Sequence, residues 1–126
     1  MIDIKKQINY WQISAQSDIE TAEILINKQK YIQGLFFCHL CMEKIIKALV
    51  VKQTSQIPPK SHNLEYLCEQ SQITVTNEQK QFMAILMKYQ LEGRYPEYYP
   101  VTPSITTVNN YLCKTKELYS CLKQML

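Results

Sequence analysis

"YIQGLFFCHLCMEKIIKALVVK", residues 31–52, is the most apolar part of the chain and decides its fold. Its apolar residues recur at steps of three and four, which places them on one face of an α-helix. Further apolar residues widen that face around most of the helix. Such a helix lies at the centre of a bundle or in a subunit interface, and the sequence leaves both alternatives open. The stripe is Tyr31, Leu35, Cys38, Met42, Ile45 and Leu49, widened by Phe36, Phe37, Leu40, Cys41, Ile46, Ala48 and Val50.

Helical patterns also occupy the sequence on both sides of this segment. Residues 4–28 repeat apolar groups at helical spacing, and residues 77–91 and the C-terminal segment do the same. A short helix is predicted in "HNLEYLCEQ", residues 62–70. The predicted fold is therefore all-α: an up-and-down bundle of four main helices plus one short helix.

Local signals predict where three of these helices begin. Ser61 is placed to cap the short helix. Thr76 with Gln79 three residues later fits a capping box. Pro103 stands where a first-turn proline is tolerated in the last helix.

Composition limits the class of protein. A length of 126 residues suits one domain, 1–126, and two glycines are too few for a turn-rich β-fold. The net charge of +3 neither shows nor excludes nucleic-acid binding. No secretory signal and no membrane-length apolar run is visible, so we expect a cytoplasmic protein with reduced thiols and no membrane partner.

Cys38 and Cys41 form the one close cysteine pair. A zinc site would need a second pair, and the pair falls within a helix rather than on a turn. We interpret both as small buried residues and predict neither a metal nor a cofactor. His39, in the same apolar segment, is interpreted as a core or interface histidine. His62, at a helix start, either packs locally or belongs to a ligand site.

Glu43 and Lys47 are four residues apart, in the favourable order for a helical ion pair. One interpretation is a modest pair on the helix surface. In the other, Glu43 points inward and meets the sole arginine, Arg94.

"EGRYPEYYP", residues 92–100, contains that arginine and three of the nine tyrosines. A guanidinium can hold a phosphate and tyrosine rings can stack on bases, so these residues could bind a nucleotide. Alternatively, an ion pair from Arg94 to Glu43 or Glu92 could fix the loop to the bundle. The tyrosines concerned are Tyr95, Tyr98 and Tyr99.

Four segments together resemble the HEPN domain, a helical family found in higher eukaryotes and prokaryotes. They are "DIETAEIL", "YIQGLFFCHLCMEKIIKALVV", "PPKSHNLEYL" and "YQLEGRYPEYY", and the resemblance runs from about Tyr10 to Leu122. It implies a helical bundle that is usually a homodimer. Many members are metal-independent ribonucleases that use an arginine and a histidine four to six residues later. They are often toxins paired with a small nucleotidyltransferase antitoxin, whereas other members bind nucleotides or partners.

Arg94 matches the family arginine, but residues 98–101 contain no histidine. Tyrosine, with an ordinary pKa of about 10, is a poor base at neutral pH. We therefore expect a module that binds a nucleotide, RNA or a protein partner, with no catalytic residue assigned. The alternative is a ribonuclease in which His62 replaces the missing base. The candidate site residues are Arg94, Tyr95, Tyr98, Tyr99, His62, Glu43, Lys47 and Glu92.

Overall fold

The computed structural model describes residues 2–126. It contains five α-helices and one short 3₁₀-helix. Met1, the first residue of the predicted domain, lies outside the described residues. No β-strand occurs within residues 2–126, so the predicted all-α bundle is confirmed. The helices are α1 (Ile4–Asn27), α2 (Tyr31–Thr54), α3 (Leu64–Ser71), α4 (Asn77–Met87) and α5 (Ile105–Lys123), with the 3₁₀-helix at Pro96–Tyr98.

Helix α2 is the centre of the bundle. It packs against each of the other four helices, and more than half of its residues are buried. Most of the wide apolar surface predicted for this segment is therefore covered within a single chain, while Tyr31, Phe36, Phe37 and Leu40 remain partly exposed. Each large aliphatic side chain buried there contributes about 1.5–3 kcal/mol.

The close packing of α1 on α2 explains one of the two glycines. A Cβ atom added at Gly34 would lie 2.5 Å from Ile26 Cγ1 and 3.2 Å from the Ala22 carbonyl oxygen. A larger residue at this position would force the Ile26 side chain or the α1 backbone to shift. The turn before α2 closes with a hydrogen bond from the Lys30 N–H to the Leu25 carbonyl, which is one of the last carbonyls of α1.

Helix α3 begins slightly later than its predicted cap. Asn63 is the N-cap, because its Oδ1 accepts from the Tyr66 N–H at 3.1 Å. Ser61, predicted for this role, accepts instead from the Asn63 N–H at 3.1 Å and shapes the preceding loop. His62 therefore lies in the loop and not in the helix.

The capping box of α4 is confirmed, because Thr76 and Gln79 satisfy each other's backbone N–H groups. However, α4 ends at Met87 rather than at Leu91. Helix α5 is capped by Ser104, whose Oγ accepts from the Thr107 N–H at 3.2 Å. The prediction for Pro103 was wrong, since this residue precedes the cap.

None of the helices that the structure describes is long and apolar enough to cross a membrane.

Candidate functional site

A tight turn follows α4 and reverses the chain. The Arg94 N–H donates to the Leu91 carbonyl at 3.1 Å, and Gly93 has a φ of +73°. A Cβ added at Gly93 would meet nothing within 4 Å, so its backbone angle alone calls for glycine. The turn directs the Arg94 side chain back to the end of α4.

The Arg94 guanidinium binds backbone carbonyls. Its Nε donates to Gln90 O at 2.9 Å, Nη1 to Tyr98 O at 3.1 Å and Nη2 to Met87 O at 3.5 Å. The last carbonyls of a helix lack partners within the helix, and a cation is favoured there. Arg94 thus connects the end of α4 to the loop that follows it. Three of its five N–H groups are engaged, which leaves two to donate elsewhere.

Neither ion pair suggested for Arg94 forms. Within residues 2–126, its guanidinium pairs with no carboxylate, and Glu43 and Glu92 both contact other residues. The loop is fixed by main-chain oxygens, which every residue carries and which sequence patterns therefore cannot reveal.

Glu43 is buried, so the Glu43–Lys47 pair is not the surface pair of the first interpretation. Lys47 Nζ donates to Glu43 Oε2 at 2.9 Å, and both side chains are almost fully buried. Glu43 points inward, as the second interpretation held, but Oε1 lies 2.9 Å from His62 Nδ1 rather than near Arg94. Lys47 Nζ also lies 5.2 Å from the centre of the Trp11 ring, which adds a cation–π contact.

His62 connects this buried pair to the surface. Its Nδ1 faces Glu43, while Nε2 lies 3.3 Å from Glu92 Oε2. The side chain is 44% exposed, whereas that of Glu43 is only 5% exposed. A carboxylate that accepts from Nδ1–H orients the ring and leaves Nε2 as the nitrogen that can act on a ligand.

His39 lies in the core, one of the two locations that the sequence predicted, and its ring binds the backbone of His62. Its Nε2 donates to the His62 carbonyl at 3.1 Å. Burial lowers the His39 pKa to about 4, although the nearby Glu43 carboxylate opposes this shift. The ring is therefore neutral at physiological pH and holds the His62 backbone.

His62, Glu92 and Arg94 line one groove of about 370 Å³ at the surface. Asn63, Met87 and Gln90 also line it, and sequence reasoning did not identify them. Glu43 and Lys47 lie behind the groove and reach it only through His62. The structure thus brings five of the eight candidate residues together, in the groove or directly behind it.

The three candidate tyrosines lie on the same loop but point to solvent. Tyr95, Tyr98 and Tyr99 are 71%, 70% and 48% exposed. At these exposures the three rings are not packed into the bundle. Their ring faces are therefore accessible to a base.

Cys38 and Cys41 are fully buried in α2. Burial raises the Cys38 pKa to about 11 and raises the pKa of Cys41 well above its ordinary value. Both thiols therefore remain protonated and behave as small core residues. All five cysteines are free, and no metal-binding group of three or more His, Cys, Asp or Glu residues occurs in the described part of the chain.

Comparison with known proteins agrees with this architecture. The sequence model of the HEPN domain matches residues 8–125. The crystal structure of TT1696 from Thermus thermophilus is similar with a TM-score of 0.80 and 17% sequence identity, over 95% of this chain and 98% of that one. At this identity, the likeness shows a shared fold. No curated protein shows significant similarity to the chain.

Proposed function

Because the chain belongs to the HEPN domain family, we propose that it binds the phosphate of a nucleotide or of RNA in the groove of His62 and Arg94. The observation that carries this proposal is the partly used Arg94 guanidinium. Three carbonyls hold it in place, and two N–H groups remain for a ligand. A donor that is already fixed loses little entropy when a phosphate binds.

The neighbouring side chains suit a nucleotide better than a free phosphate. His62 lies in the same groove as the guanidinium, and Glu43 sets the orientation of its ring. The exposed tyrosines offer stacking surfaces on the same loop. Stacking of one base on an aromatic ring is worth about 1–3 kcal/mol.

The test is titration of the protein into a labelled short oligoadenylate RNA, followed by fluorescence anisotropy of the label. Arg94→Ala should weaken binding, but it also removes three loop hydrogen bonds. Tyr98→Ala is the cleaner variant, because Arg94 uses only the Tyr98 backbone carbonyl. We expect Tyr98→Ala to weaken RNA affinity roughly tenfold, the loss of about 1.4 kcal/mol of stacking.

Tyr66→Ala is the matched control, since Tyr66 is also exposed but lies on α3 and does not line the groove. It should leave RNA affinity unchanged. Wild-type affinity in both Arg94→Ala and Tyr98→Ala, with the thermal transition intact, would contradict binding at this groove.

A second candidate function is metal-independent cleavage of RNA, as the family resemblance suggests. The observation that favours it is the 2.9 Å contact between Glu43 and His62 Nδ1. With Nδ1 occupied, Nε2 could take the proton of a 2′-hydroxyl while the 2′-oxygen attacks phosphorus. The bond from phosphorus to the 5′-oxygen breaks as the 2′,3′-cyclic phosphate forms, the leaving 5′-oxygen takes a proton from water, and Arg94 stabilises the charge on the phosphate.

Ribonuclease assays in the presence of a chelator test this second candidate. His62→Gln and Arg94→Lys should each abolish cleavage, because the first removes the base and the second removes the fork of donors. Equal cleavage by the wild-type protein and both variants would assign any observed activity to another site or to a contaminant.

We further propose a cytoplasmic homodimer that pairs with a small nucleotidyltransferase, on the strength of the family resemblance. Helix α2 gives the dimer less support than expected, because most of its apolar surface is covered within the chain. Support comes instead from α1, where Tyr10, Ile13 and Ile24 are each 60% exposed on the side away from the core. A monomeric mass in solution at micromolar concentration would contradict the dimer, and co-purification of the two proteins when co-expressed tests the pairing.

A further inference from the structure

Glu92 places a carboxylate in a groove whose other charged and polar groups suit an anion. Its Oε2 lies 3.3 Å from His62 Nε2, and its side chain is 65% exposed. Across the residues that the structure describes, it forms no ion pair with Arg94, although the two are only two residues apart. A carboxylate beside a phosphate repels it, so phosphate binding alone does not explain this residue.

We propose that Glu92 is a specificity-determining residue that accepts a hydrogen bond from the 2′-hydroxyl of a ribonucleotide, which makes the groove select ribose over deoxyribose. This inference rests on the proposed function, because it names the class of ligand that the same groove takes. The ligand is a ribonucleotide with a 3′-phosphate, as in the RNA backbone.

The chemistry of the ribose matches the arrangement of these groups. The 2′-hydroxyl and the 3′-phosphate stand on adjacent ribose carbons, so one nucleotide presents a donor and an anion side by side. Glu92 and Arg94 present an acceptor and a donor from the two sides of the Gly93 turn. Carboxylates serve the same purpose in dinucleotide-binding folds, where they bind ribose hydroxyls.

The contact with His62 leaves Glu92 able to bind a ligand. An ionised carboxylate has about four acceptor positions, and His62 uses one of them. The exposure of Glu92 allows a hydroxyl to reach the others. The contact with His62, whose ring Glu43 orients, places the Glu92 carboxylate in the groove, where a ligand can reach it.

The competing explanation is that Glu92 and His62 form only an exposed ion pair. Such pairs are weak and carry no preference for one sugar. The two explanations predict different results when the carboxylate is removed. Only the first predicts a change in the ratio of the affinities for a ribonucleotide and its 2′-deoxy counterpart.

The experiment compares adenosine 3′-monophosphate with its 2′-deoxy counterpart by isothermal titration calorimetry or by NMR titration. We expect the wild-type protein to bind the ribonucleotide roughly tenfold more tightly, as one charge-assisted hydrogen bond provides. In Glu92→Ala, the ratio of the two affinities should fall to about one. The deoxyribonucleotide should bind at least as tightly as before, because the repulsion of its phosphate is removed.

Glu97→Ala is the matched control, because it removes the same charge from an exposed residue of the same loop that does not line the groove. It should preserve the preference for ribose. A wild-type ratio near one, or an unchanged ratio in Glu92→Ala, would overturn the role of Glu92 while phosphate binding stands. If wild-type protein binds neither nucleotide, both the proposed function and this inference fail.

Discussion

Removal of the Glu43 charge is the strongest test of the buried network behind the groove. Glu43 and Lys47 are 4% and 6% exposed, and their ion pair spans 2.9 Å. Breaking a buried pair by removing one partner costs about 3–5 kcal/mol, since the other charge stays in the core without compensation. In Glu43→Gln, Lys47 keeps its contact with the Trp11 ring, so we expect the lower end, about 3 kcal/mol.

For a domain of this size, that loss corresponds to a fall in melting temperature of roughly 10–15 °C. Urea unfolding followed by circular dichroism gives the change in the free energy of unfolding directly. A double-mutant cycle with Lys47→Met isolates the pair, and we expect a coupling of about 2 kcal/mol. The double variant should therefore be more stable than the sum of the single changes implies.

The surface pair of Glu23 and Lys116 provides the matched control, because both side chains are more than 40% exposed. Glu23→Gln should cost less than about 1 kcal/mol. If Glu43→Gln costs no more than Glu23→Gln and shows no coupling to Lys47→Met, the Glu43 carboxylate is solvated. A solvated carboxylate would not orient the His62 ring, and the supporting role of Glu43 would be refuted.

Core and turn packing give three more expected outcomes. His39 has a pKa of about 4 in the folded chain and an ordinary pKa of 6.5 in the unfolded chain. Between these values the unfolded state binds more protons than the folded state. The free energy of unfolding should therefore fall by about 3 kcal/mol as the pH drops from 6.5 to 4. His39→Leu should flatten this dependence in pH-dependent urea melts. Gly34→Ala should cost about 1–3 kcal/mol by overpacking against Ile26, and the double variant with Ile26→Ala should lose less stability than the sum of the two single changes. Gly93→Ala should cost about 1 kcal/mol through its positive φ alone, and a melting temperature equal to wild type would show that the turn relaxes freely.

The helices could be predicted because their information is local. Apolar periodicity indicated each helix, and the Thr76–Gln79 box marked the start of α4 within four residues of sequence. Ser61 and Asn63 are both good caps, and the choice between them depends on how α3 docks, with Leu64 fully buried at its first turn. The last carbonyl of α4 contacts an arginine seven residues beyond it, and no local pattern reveals that contact.

The candidate site was predictable only in part. Arg94 stood out because it is the sole arginine and lies in a family motif. The bond between Glu43 and His62 joins residues 19 apart through a loop whose path depends on the whole bundle. His39 binds the His62 carbonyl across 23 residues of sequence. The sequence around His39 therefore could not reveal this contact.

The single tryptophan gives this architecture a practical consequence. Trp11 lies beneath the Lys47 ammonium, which is bonded to Glu43, which is bonded in turn to His62 in the groove. A ligand that moves His62 alters the electric field at the indole, and its emission depends on that field. We therefore expect the intrinsic fluorescence of Trp11 to change when a ligand binds in the groove, which would allow binding to be followed without a label.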